Sequence, residues 1–150
     1  MQFDTLIING KIVDGTGKSA YKADIGIVNQ KISAIGSLKS SGAKQVINAE
    51  NLIVSPGFID MHTHSDISLI NDPLGESKAY QGVTTEVTGN CSYSPFPCGK
   101  KGPEELHKEL WEKCAVADDP NTVWTWNTLD EWAKTIENNG VSINIAPQLG

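Results

Sequence analysis

The sequence predicts an α/β protein in two parts: a small antiparallel sheet over residues 1 to about 52, then the first units of a parallel β/α barrel or open sheet over 53–150. Three observations carry this. The first third alternates apolar and polar residues in short bursts, the remainder repeats strand, helix, strand, helix, strand, and the pattern changes at Pro56-Gly57.

In the first part the bursts FDTLIING, KIVDG, KADIGIVNQKISAIG and KQVINAENLIV read as strands. Asn9-Gly10 stands between LII and KIV, and Asn29-Gln30 between IGIV and KISAI. Both spacings predict tight hairpin turns, because Asn and Gly tolerate positive φ. In the second part the strand FIDMHTH leads into a polar segment around Pro73 to Gln81 expected to hold a short helix. GVTTEVTGN is a second strand ending at Cys91. A Pro- and Gly-containing loop follows, and PEELHKELWEKCA places Leu106, Leu110 and Trp111 at helical spacing. LDEWAKTIENNG has an N-cap candidate in Asn127-Thr128, acids in its first turns and Gly140 as a C-terminal stop, and VSINIAPQLG is a third strand. Three parallel strands do not close a barrel, so the chain is expected to be truncated, with an open sheet edge.

Composition narrows the function classes. A formal net charge of −6 and 20% charged residues, without a basic patch, argue against a nucleic-acid surface. The apolar stretches are strand-length and interrupted, and MQFDTLIING lacks both a basic leader and a long apolar region, so no membrane association and a cytoplasmic location are expected. Cys91, Cys98 and Cys114 are odd in number and form no CxxC pair, which disfavours a disulfide framework and a zinc ribbon.

The chemistry concentrates in FIDMHTH. Strand alternation puts Phe58, Asp60, His62 and His64 on one face, so two imidazoles project together from a strand's C-terminal end, the face on which β/α barrels build their sites. At ~3.3 Å per residue two such rings converge on one ion with bonds of about 2.1 Å. The next strand delivers Cys91 to a neighbouring C-terminal end, where a thiolate is a metal ligand or, as for most lone cysteines, a small buried side chain.

PGFIDMHTH at 56–64 resembles the signature of the amidohydrolase superfamily, and its combination with QGVTTEVTGNC at 81–91 and NNGVSINIAPQLG at 138–150 is similar to the N-acyl-D-amino-acid deacylases, the D-aminoacylase family. The resemblance runs over nearly the whole chain. It implies the N-terminal part of a metal-dependent (β/α)8 barrel preceded by strands of a small β-sandwich. It implies His62, His64 and Cys91 as metal ligands, Zn2+ as cofactor, and zinc-dependent hydrolysis of the amide bond of small-molecule N-acyl-D-amino acids to a carboxylate and a D-amino acid. The general base and the remaining ligands are expected beyond residue 150, so this chain by itself is expected to be inactive. Where the family usually reads GNCG, Ser92 follows Cys91 here, a difference expected to alter the turn without removing the ligand.

Two other readings stay open: a cyclic-amide hydrolase of the dihydropyrimidinase or dihydroorotase type, which the GNC cysteine disfavours, and a non-catalytic binding or assembly module. His107, on a charged face of the PEELHKELWEKC helix, reads as a solvated surface histidine, Cys98 and Cys114 read as structural, and Asp60 and Asp66 either cap backbone or orient a histidine. The tryptophans read as core, with Tyr93, Phe96 and the Trp124/Trp126 pair as an alternative acyl pocket. Glu86 has no partner legible in the sequence, because its alternation places it under covering helices.

Overall fold

The computed structural model describes residues 2–38, 42–114, 119 and 121–149, without the side chains of residues 113 and 114. They form two compact units, Met1–Pro56 and Gly57–Gly150.

The first unit is a single sheet of β1 (Phe3–Ile12), β2 (Tyr21–Val28), β3 (Lys31–Gly36), β4 (Ala43–Asn48) and β5 (Ile53–Val54). Its order is β3-β2-β1-β4, with β5 also on β1. β1 pairs antiparallel with β2, but parallel with β4 and with β5. The sheet is therefore mixed rather than antiparallel, and Ile53 and Val54 join it. Asn29-Gln30 does form the expected hairpin: both residues have positive φ, 49° and 62°, as the inverse two-residue turns require.

Asn9-Gly10 does not turn the chain. β1 runs straight through it, with an extra residue between the Ile7 and Gly10 pairings, so this is a β-bulge. The Asn9 N–H, turned out of the ladder, donates to Oδ1 of buried Asp24 at 3.0 Å, and the other Asp24 oxygen accepts from Leu38 N–H at 2.9 Å. A bulge and a hairpin share the same demand for positive φ, here 64° at Asn9, which is why the dipeptide alone does not tell them apart.

The second unit holds a parallel three-stranded sheet in the order β6-β7-β8: β6 (Phe58–Asp60), β7 (Val83–Thr88) and β8 (Asn144–Pro147). Between β6 and β7 run the short helices α1 (Ser65–Ser68) and α2 (Glu76–Ala79), and between β7 and β8 run α3 (Gly102–Cys114) and α4 (Leu129–Asn139). α4 begins at a capping box, with Thr128 Oγ1 accepting from Glu131 N–H while the Glu131 carboxylate accepts from Thr128 N–H, and it stops at Gly140 in a left-handed conformation. One apolar core, built around Ile67, Leu69, Phe96, Trp126, Trp132 and Ile136, packs α1, α4 and the loops together. Buried Trp132 also donates its indole N–H to the Asp66 carbonyl at 3.2 Å, tying α4 to α1. Among the described residues no helix is long and apolar enough to cross a membrane.

Candidate metal centre

β6 is shorter than the alternation implied. It ends at Asp60, whose carboxylate Oδ1 turns back to accept the His62 N–H at 3.1 Å, an Asx turn that takes the backbone out of the sheet. His62 and His64 therefore leave the strand end on a turn, and His64 is the N-cap residue of α1. Their rings lie 5.9 Å apart, edge to face.

β7 continues directly into a 3-10 turn at Asn90–Ser92, which holds Cys91 with φ 57°. Its Sγ lies 3.2 Å from His62 Nε2. Ligand-capable atoms of His62, His64 and Cys91 all fall within 4.8 Å of one another, and among the described residues this is the one group of three or more such side chains. A metal–nitrogen bond of about 2.0–2.1 Å and a metal–sulfur bond of about 2.3 Å fit between these atoms after side-chain movements below about 1 Å. The donor chemistry also fits: two neutral imidazoles with a thiolate suit a borderline-soft divalent ion. His62 and Cys91 are exposed while His64 is half-buried, so the group opens to solvent on one side.

Each residue of the GNC motif has a separate geometric task. Gly89 has φ 76°, and a Cβ there would lie 2.3 Å from the Gln148 carbonyl oxygen, so glycine lets β8 close against the end of β7. Asn90 donates its side-chain amide to Val87 O at 2.8 Å and to Thr63 O at 3.3 Å, joining the end of β7 to the histidine segment. Cys91 supplies the sulfur. Ser92 also has positive φ, 61°, which gives a physical reason for the glycine usual at this place: two successive left-handed residues are strained with side chains.

Around the group the charges are arranged by burial. Lys78 of α2 pairs with Asp60 at 2.5 Å and with fully buried Glu86 at 3.4 Å. This accounts for Glu86: β7 and β6 place Glu86 opposite Asp60, and a lysine from the intervening helix sits between the two carboxylates. The Lys78 hydrogen bond and the His62 N–H hold the Asp60 carboxyl below its ordinary value, and the Asp60 bond in turn raises the Lys78 ammonium. Asp66 is fully buried in α1, and that burial pushes its carboxyl up to about 7. Neither acid bonds a ring nitrogen: Asp60 caps backbone, and His64 Nδ1 has no hydrogen-bond partner among the described residues.

The residues set aside by sequence reasoning fall elsewhere. Cys98 is buried with its thiol toward Pro95 O and Trp126 O, and burial raises its pKa. His107 is half-buried and stacks on Trp124 at 4.6 Å rather than standing free in solvent. The Cys114 side chain lies outside the described residues. Trp124 and Trp126 belong to the closed core, whereas Phe96, although part of that core, lines a surface recess together with half-buried Tyr93 and Leu110, and the Tyr93 ring lies 6.0 Å from that of His64.

The model of the amidohydrolase family Amidohydro_3 matches residues 45–140. The chain belongs to the amidohydrolase family. D-aminoacylase of Alcaligenes xylosoxydans xylosoxydans is 41% identical over 101 residues, covering 67% of this amidohydrolase chain and 21% of that protein. A solved D-aminoacylase structure, described for its binuclear metal center, superposes with a TM-score of 0.83 at 31% identity, covering 99% of this chain and 30% of that one. The N-acyl-D-glutamate deacylase of Bordetella bronchiseptica, solved with zinc and a phosphonate inhibitor, gives a TM-score of 0.79 at 30% identity over 100% of this chain and 30% of that one. The amidohydrolase chain thus spans between a fifth and three tenths of the length of these proteins.

Proposed function

We propose that this chain contributes His62, His64 and Cys91 as ligands of a zinc site in an enzyme that hydrolyses the amide bond of N-acyl-D-amino acids. The observation that carries the reading is the meeting of two imidazoles and one thiol from adjacent parallel strand ends within 4.8 Å. Similarity to D-aminoacylase and to a zinc-complexed N-acyl-D-glutamate deacylase supplies the substrate class. In this reading the parallel sheet opens a (β/α)8 barrel and Met1–Pro56 contributes strands of a β-sandwich.

Bound there, zinc would supply Lewis-acid polarisation of the scissile carbonyl and a water acidified toward ~7. The chain's own residues do the holding. Asp60 fixes the backbone at His62, Asn90 fixes Thr63 relative to the end of β7, and the exposed faces of His62 and Cys91 leave the approach open to a small molecule. Tyr93 borders the half-buried His64 and closes that flank.

A cyclic-amide hydrolase shares the HxH pair, but a cysteine sulfur close to His62 favours the deacylase. The full-length enzyme that contains this chain would be assayed with N-acetyl-D- and N-acetyl-L-amino acids, with and without Zn2+, alongside its His62→Ala and Cys91→Ala variants. Zinc-dependent release of the D-amino acid, falling at least about a hundredfold in both variants, is expected. Turnover unaffected by either substitution, or confined to cyclic amides, would sink the proposal.

A further inference from the structure

We propose that Lys78 is a positioning residue for the metal ligands, a clamp that locks the turn carrying His62 and His64 onto β7; this rests on the zinc-site reading given above. The need for a clamp follows from the backbone. The HxH segment lies beyond the last residue of β6, so no ladder holds it. Beyond the Asx turn, its backbone is tied to β7 and the turn after it, among the described residues, by two long bonds, Thr63 N–H to Val87 O at 3.3 Å and Asn90 Nδ2 to Thr63 O at 3.3 Å.

The Lys78 ammonium reaches both sides of His62. It donates to Asp60 Oδ2 at 2.5 Å and to Thr63 Oγ1 at 3.3 Å, while Asp60 Oδ1 holds the His62 N–H. Thr63, which separates the two histidines, is further tied to Ser65 Oγ at 2.7 Å. The third contact of the ammonium, Glu86 Oε1 at 3.4 Å, comes from the middle of β7 and is fully buried. One cation therefore joins the histidine segment to the strand that carries Cys91. Two hydrogen bonds and an ion pair to a fully buried carboxylate give it a fixed place rather than the freedom of a surface lysine.

A simpler role would be neutralisation of Glu86, since a carboxylate without solvent requires a partner. The two roles differ in what happens when both charges are removed together. Lys78→Met alone leaves Glu86 buried and unpaired and is at risk of misfolding. Lys78→Met/Glu86→Gln removes the Glu86 charge together with its counter-ion while still removing the ties to Asp60 and Thr63. A mere counter-ion is dispensable in the double variant, and a clamp is not.

Co2+ titration of the protein reports this without any assay of turnover, because a cysteine thiolate on cobalt gives a charge-transfer band and Cys91→Ala identifies it. The double variant is expected to keep the wild-type far-UV circular dichroism and the same band at saturation, yet to bind cobalt about tenfold to a hundredfold more weakly, the range typical when groups supporting metal ligands are lost. Cobalt affinity of the double variant within twofold of wild type would overturn the clamp and leave the metal site standing. A wild type that binds no cobalt, or whose band survives Cys91→Ala, would overturn the zinc-site reading and the clamp together.

Discussion

The side-chain amide of Asn90 donates to the carbonyl of Thr63 across the gap between two parallel strand ends, and the same nitrogen donates to Val87 in β7, the strand that leads into its turn. This places the Asn of the GNC motif between the residues that carry the two imidazoles and the residue that carries the thiol. Asn90→Ala should cost about 1–3 kcal/mol of stability, the range for leaving partly buried carbonyls without their donor. Asn90→Asp, which presents only acceptors to those carbonyls, should be at least as damaging. Urea denaturation of the purified variants measures both, and a loss below about 0.5 kcal/mol in each would show that the bridge is incidental.

Gly89 and Ser92 flank this bridge and should respond in opposite senses. Gly89→Ala forces a Cβ against the Gln148 carbonyl from a left-handed backbone, so a loss of about 3 kcal/mol or more is expected from conformational strain and overpacking combined. Ser92→Gly relieves a left-handed serine at φ 61° and should gain up to about 1 kcal/mol, the relief being partly offset by the added freedom of the unfolded chain. Thermal melts of the two variants beside wild type would show the contrast; a stabilised Gly89→Ala would mean that β8 does not close here.

The metal-site candidates were legible because their signals are local. HxH at a strand end and a cysteine after the next strand need only the strand order to bring them together, and that order is parallel. The means of bringing them together was not legible in the same way. Alternation predicts a strand through His64, yet the side chain of Asp60 competes for the backbone and ends β6 early. Glu86 stayed unexplained because its partner, Lys78, comes from a short helix whose placement depends on tertiary packing. In the first unit, Asn9-Gly10 reads as a turn because the decisive partner of the bulge, Asp24, lies fifteen residues away. The parallel pairing of β1 with β4 likewise depends on a long-range register that no tight turn announces.

The hairpin at Asn29-Gln30 offers a prediction for the first unit. Gln30 carries φ 62° with an unbranched side chain that gains nothing from that conformation, unlike Asn29, whose N–H is taken by Asp4 at 2.8 Å. Gln30→Gly should therefore stabilise the β2–β3 hairpin by about 0.5–1 kcal/mol. Hydrogen exchange of the β2 and β3 amides is the local readout, and faster exchange in the variant would contradict the turn geometry.

The capping box of α4 gives a pH dependence whose sign follows from the bonds. Glu131 accepts the N–H groups of Asn127 and Thr128, and these bonds hold its carboxyl below the ordinary carboxylate value. A carboxyl lowered on folding contributes stability that is present above its unfolded value, near ~4.3, and is lost as pH falls through the folded value. Wild-type stability should thus decline on acidification below about 4.3 partly through this cap, and Glu131→Gln should make that decline shallower while lowering stability at pH 7. Thr128→Ala, which removes the reciprocal acceptor of the Glu131 N–H, should cost about 1 kcal/mol at any pH where the helix is intact. Thermal melts between pH 3 and pH 7 on the three proteins separate the two halves of the box. An acid slope in Glu131→Gln as steep as that of wild type would mean that the carboxylate at this cap carries none of the pH dependence.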